Sequence, residues 1–69
     1  METNEKRILA AFSASRKLKS TTPSEAQINN IIFRLLQIFT TEELSKMEEK
    51  YFMRQVERVW PIAQYIDRI

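Results

Sequence analysis

Apolar residues recur along this chain at helical spacing, and the broadest such face lies in its middle. Turned by about 100° per residue, Ile28, Ile31, Ile32, Leu35, Leu36, Ile38 and Phe39 share one side, with Gln27, Asn30, Arg34 and Gln37 opposite. This stretch predicts a helix over 23–39, with Pro23 in the favoured first position behind a Thr22 cap. Thr22 with Glu25, and Thr40 with Glu43, have the capping-box spacing, in which a hydroxyl and a carboxylate satisfy orphan amides reciprocally. The second box opens the next helix, so only Thr40 separates the two, and a tight corner or antiparallel hairpin is expected. Phe33 breaks the pattern, because it projects from the polar side between Asn30 and Gln37. An aromatic there is either covered by another part of the chain or serves as a contact residue.

The flanking runs are narrower. Ile8, Leu9, Ala11, Phe12 and Leu18 predict a first helix over 4–18 with Thr3 as its cap, and Ala10, Ala11 and Ala14 allow a close neighbour. Arg16, Lys17 and Lys19 would close its last turn against the helix dipole, or form a short basic arm for an anionic partner. A third helix is predicted over 41–59. It has one apolar stripe of Leu44, Met47 and Tyr51 and another of Phe52, Val56 and Val59, divided by Glu48 and Gln55. Two stripes suit two partners, one of them a second subunit. Its outer side carries Lys46, Lys50, Arg54 and Arg58 at four-residue steps, with Glu42, Glu43, Glu49 and Glu57 near enough to neutralise most of that charge. Met53 adds an apolar spot to that side.

Trp60-Pro61 is expected to kink or interrupt the helix, since proline lacks the amide donor and disfavours helical geometry in the residue before it. Ile62, Tyr65, Ile66 and Ile69 then predict a short fourth helix over 61–68, pinned by Trp60, with the terminus tucked in. The fold class expected is therefore all-α: one small domain spanning 1–69, three helices plus a short C-terminal fourth.

Composition narrows the chemistry. Sixty-nine residues with no Cys and no His offer neither disulfide nor ordinary zinc, haem or iron–sulfur ligation, so no metal or cofactor is expected. With no Gly, hairpin turns and phosphate-cradling loops lack their usual residue. Without His or Cys the common base and nucleophile constellations cannot be assembled. The adjacent carboxylates Glu42/Glu43 and Glu48/Glu49 diverge on a helix, and Ser13, Ser15 or Ser20 with Lys17 carries no specificity. No catalytic residue is assigned, and the chain is expected not to be an enzyme. No apolar run approaches the ~18 residues of a membrane span, and nothing resembles a signal peptide, so a cytoplasmic protein that avoids membranes is expected.

The formal net charge of +2 does not point to nucleic acid. Its distribution is mildly polarised: residues 1–34 hold six bases against three acids, and residues 35–69 hold five against six. A helix-turn-helix reader would lead with Thr41-Glu42-Glu43, which repels phosphate, although Gln27, Asn30 and Arg34 could address bases. Apolar surface exceeds what so short a chain buries alone. The favoured function is a self-associating protein-interaction module, an adaptor or an occluding regulator, with Phe33, Tyr51, Phe52, Met53, Trp60 and Tyr65 as interface candidates. The alternative is a nucleic-acid binder using Arg16, Lys17, Lys19, Lys46, Lys50, Arg54 and Arg58. A third reading shelters a small anionic ligand between subunits with the same bases.

Overall fold

A computed structural model describes residues 3–65. They form four helices and no strand: α1 (Asn4–Ala14), α2 (Glu25–Leu35), α3 (Thr41–Lys46) and α4 (Glu49–Ala63). The fold is all-α, and no helix among the described residues is long and apolar enough to cross a membrane. Side-chain contacts give the layout. The start of α2 meets the end of α4 through Gln27 Nε2, which donates to the Gln64 carbonyl, and Phe39 beyond α2 faces Tyr51 near the start of α4. α2 therefore runs antiparallel to α4. α1 runs parallel to α4, with Arg7 over Phe52 and Phe12 edge-on to Trp60 at a centroid distance of 5.0 Å.

The core is one cluster. Ile8, Phe12, Ile28, Ile31, Leu35, Leu44, Phe52 and Val56 are buried in it, and Trp60, Met47 and Val59 pack on partly covered. α2 supplies Ile28, Ile31 and Leu35, each from the predicted apolar face. α4 is the helix on which α1 and α2 converge, because the largest interfaces are those it makes with them. The α2 face is broader than the core needs, and Leu36 and Ile38 stay exposed.

Several helix ends depart from the sequence pattern, each for a reason visible in the bonding. Thr3 caps α1 as expected, its Oγ1 accepting from the Lys6 amide at 3.2 Å. α1 ends at Ala14 instead of 18. Ser15 is fully buried with an extended backbone, and its hydroxyl serves Glu57 of α4 and the Lys17 amide, which competes with continued helix. Arg16, Lys17 and Lys19 thus lie in a turn beyond α1 and do not cap its last turn.

The α2 cap is Ser24 paired with Gln27, not Thr22 with Glu25. Gln27 closes the box through Oε1 and also donates to Gln64, a tertiary bond that Glu25 could not make as a donor. Pro23 is buried one residue outside the cap, the position from which a hydrophobic residue can staple the entry to a helix. α2 ends at Leu35, and the chain passes through turns to Phe39 before the expected Thr40–Glu43 box opens α3.

The predicted helix over 41–59 is two helices. Met47 and Glu48 are extended, and the freed carbonyls at the end of α3 are taken by Arg7 of α1. Its Nη1 donates to the Leu44 carbonyl and its Nη2 to that of Met47. Pro61 does not interrupt α4, which runs through it to Ala63. One missing donor in the last turn costs a single bond. Fully buried Ala63, the Gln64 amide bonded to the Trp60 carbonyl and the Trp60–Phe12 contact hold that turn in place. Residues 61–63 therefore finish α4 instead of starting a fourth helix over 61–68. Ile66 and Ile69, and the expectation of a tucked terminus, lie outside the described residues.

Candidate functional site

α2 turns its inner face to the core and leaves an outer face of Ala26, Asn29, Phe33, Leu36 and Gln37 exposed. Phe33 is 61% exposed at its centre, so no part of the described chain covers it. From Ala26 to Phe39 the only charged residue is Arg34, and its Nε is turned back along its own helix to Asn30 Oδ1 at 2.8 Å. Beyond α2 the apolar ground continues with Ile38, 66% exposed, and with Tyr51, half exposed and edge-on to Phe39 with ring centroids 6.4 Å apart. A surface helix ordinarily carries charge on its solvent side. An uncharged outer face with a central aromatic has instead the composition of an interface core, where charges are depleted and aromatics enriched.

The other interface candidates divide. Tyr65 is 60% exposed at the far end of α4, away from Phe33. Met53 is half-buried, and Trp60 is half-buried against Phe12. Phe52 is a correction: only 2% exposed, it is a core residue with the Arg7 guanidinium 4.2 Å above its ring, and it offers no surface to a partner. The two stripes of the predicted third helix therefore both face inward in large part, with Gln55 buried between them and Tyr51 alone of the six left half exposed.

The basic candidates also divide. Lys46 belongs to α3 and pairs with Glu42 at 2.9 Å, the one ion pair among the described residues. Direct pairing goes no further among the described residues: Glu43 is used in the α3 cap, Glu57 accepts from Ser15, and Glu49 lines the groove between α1 and α4 together with Lys50 without an ion pair. Lys50, Arg54 and Arg58 follow one another along the outside of α4, all exposed. Between α1 and α4 an open groove of about 450 Å³ is floored by Ala10, Ala11, Ala14, Phe52 and Met53, with Lys50 at its rim. Among the described residues no group of three or more acidic, His or Cys side chains could hold a metal ion.

Sequence reasoning gave Arg7 no role and considered Ser15 only beside Lys17, missing the bonds both make across the fold. Both lie on the helical period of Ile8, Ala11 and Phe12, one turn either side of Ala11, so a polar residue on the inward stripe was the available signal. Comparison with known proteins adds nothing to this geometry: no family model, no curated protein and no solved structure matches the chain.

Proposed function

We propose that this chain is a non-catalytic protein-interaction module that self-associates through the outer face of α2, and that it works as an adaptor or as a regulator occluding a partner's surface. One observation carries the reading: the most exposed aromatic of the chain, Phe33, sits at the centre of a helix face of Ala26, Asn29, Leu36 and Gln37, with Arg34 at its flank held to Asn30. A second copy is the partner best suited to such a face. In a two-fold interface a residue on the axis meets itself, so any charge there meets its like. Phe33 on the axis meets Phe33, and the flanking exposed Asn29 and Gln37 amides are donors and acceptors at once, able to satisfy the same groups on the partner.

The size of the face sets the expected strength. A single helix face lies at the small end of protein interfaces, below ~1,200 Å² in total, where association is weak and transient. Dissociation constants in the micromolar range follow. Sedimentation equilibrium of the full chain from about 10 to 500 µM is expected to show a monomer–dimer equilibrium, with dimerisation at least a hundredfold weaker in Phe33→Asp. A chain that stays monomeric over that range, or a Phe33→Asp variant that associates like the parent, defeats the proposal.

A further inference from the structure

The two basic segments of the sequence lie about forty residues apart, and the fold joins them. Ser15 Oγ donates to Glu57 Oε2 of α4 at 2.5 Å and accepts from the Lys17 amide at 3.2 Å. The turn carrying Arg16 and Lys17 is thereby seated beside the turn of α4 that carries Arg54 and Arg58. At about 100° per residue, Lys50, Arg54 and Arg58 fall within an arc of about 80° on α4, and four residues advance the helix by about 6 Å. That step is comparable to the spacing of neighbouring phosphates along a nucleic-acid strand. All five bases are exposed, and none is in an ion pair among the described residues. Three acids flank the strip: Glu57 accepts from Ser15, while Glu48 and Glu49 stand at the Lys50 end, where the net positive charge is lowest.

We infer that this strip binds the phosphate backbone of duplex nucleic acid without reading its sequence. A row of cations set at phosphate spacing by one helix is complementary to a polyanion, and arginine adds a two-pronged donor for a phosphate. The arc contains no Asn or Gln to recognise base edges. Single strands are held by stacking successive bases on aromatic rings; here Tyr51 has its ring set against Phe39 and Tyr65 lies past the end of α4, seven residues beyond Arg58, so one ring near each end of the strip provides no run of stacking platforms. The inference does not rest on self-association, since the strip and the outer face of α2 share no residue.

Fluorescence anisotropy of the full chain with a labelled mixed-sequence DNA duplex of about 20 base pairs tests it. Sequence-independent binding is expected at about 50 mM salt, with a slope of log K on log salt of about −4.5 for about five phosphate contacts. Arg54→Glu/Arg58→Glu is expected to lose at least tenfold in affinity. Lys6→Glu/Lys46→Glu makes the same change in net charge away from the strip and is expected to lose less than threefold; circular dichroism checks that both variants stay folded. Five results overturn the inference: no binding at low salt, a slope flatter than about −2, equal losses in the two variants, tighter binding of a single strand of the same length, or equal affinity for polyglutamate or phosphatidylserine vesicles.

Discussion

The outer face of α2 and the outer strip of α4 belong to two helices packed side by side, and they are made of opposite materials. Both helices bury an aliphatic stripe in the same core, α2 with Ile28, Ile31 and Leu35 and α4 with Phe52 and Val56. On the solvent side α4 sets out Lys50, Arg54 and Arg58, whereas α2 sets out Ala26, Asn29, Phe33 and Leu36. Folding explains the inner stripes of both. It does not explain the outer face of α2, because burying the inner stripe requires nothing hydrophobic on the other side. The contrast separates what a helix needs in order to pack from what it presents to other molecules.

The sharpest way to break that contrast is to compare two phenylalanines. Phe52→Ala empties a core site and is expected to cost about 3–5 kcal/mol, a large share of the stability of so small a domain. Phe33→Ala is expected to stay within about 0.5 kcal/mol in urea melts. If the two lose comparable stability, Phe33 is part of the fold and the outer face of α2 is not spare surface.

Next in size is the effect of Phe33→Asp across the two faces. At least a hundredfold loss of self-association should come with duplex affinity per protomer within about threefold of the parent, once the avidity of the dimer is removed. Loss of both together would mean that the faces are one site.

Arg7→Gln probes what sets the α4 strip in place. Arg7 covers the Leu44 and Met47 carbonyls and lies on the Phe52 ring. Removing charge-assisted bonds of this kind is expected to cost about 1.5–3 kcal/mol. Hydrogen exchange should show the loss concentrated at α3 and the start of α4, with the α2 amides little changed. Uniform loss of protection would mean that Arg7 stabilises the whole core equally.

The smallest effect expected is that of Arg54→Glu/Arg58→Glu on self-association. It should stay within about twofold, because the strip lies outside the neutral face; a larger change measured by sedimentation would place α4 in the dimer interface.

Where the determinants of structure are local, they were legible along the chain. Thr3 opens α1, Thr40 with Glu43 opens α3, and the period of Ile28, Ile31 and Leu35 marks the inward side of α2. Phe33 stood out for the same reason, being out of step with that period. Failures of the pattern occur where a local signal competes with a distant partner. Thr22–Glu25 and Ser24–Gln27 are both plausible boxes by spacing, and the choice falls to the one whose glutamine also reaches Gln64. Nothing between Lys46 and Glu49 marks a break, as neither Gly nor Pro occurs there.

The sequence by itself therefore determined that the chain is helical, which face of α2 turns inward, and that Phe33 faces away from it. All three follow from propensity, capping and period, which act within a few residues. The tertiary structure decided where α1 and α3 stop, and that the turn after α1 lies beside the basic strip of α4. Those outcomes depend on Arg7 reaching Leu44 and on Ser15 reaching Glu57, across 37 and 42 residues of sequence. Contacts of that range exist only after the core has brought the helices together. Even so, the feature that carries the proposed function, an aromatic at the centre of an uncharged face, needed both: the period to put Phe33 outside, and the fold to leave it uncovered.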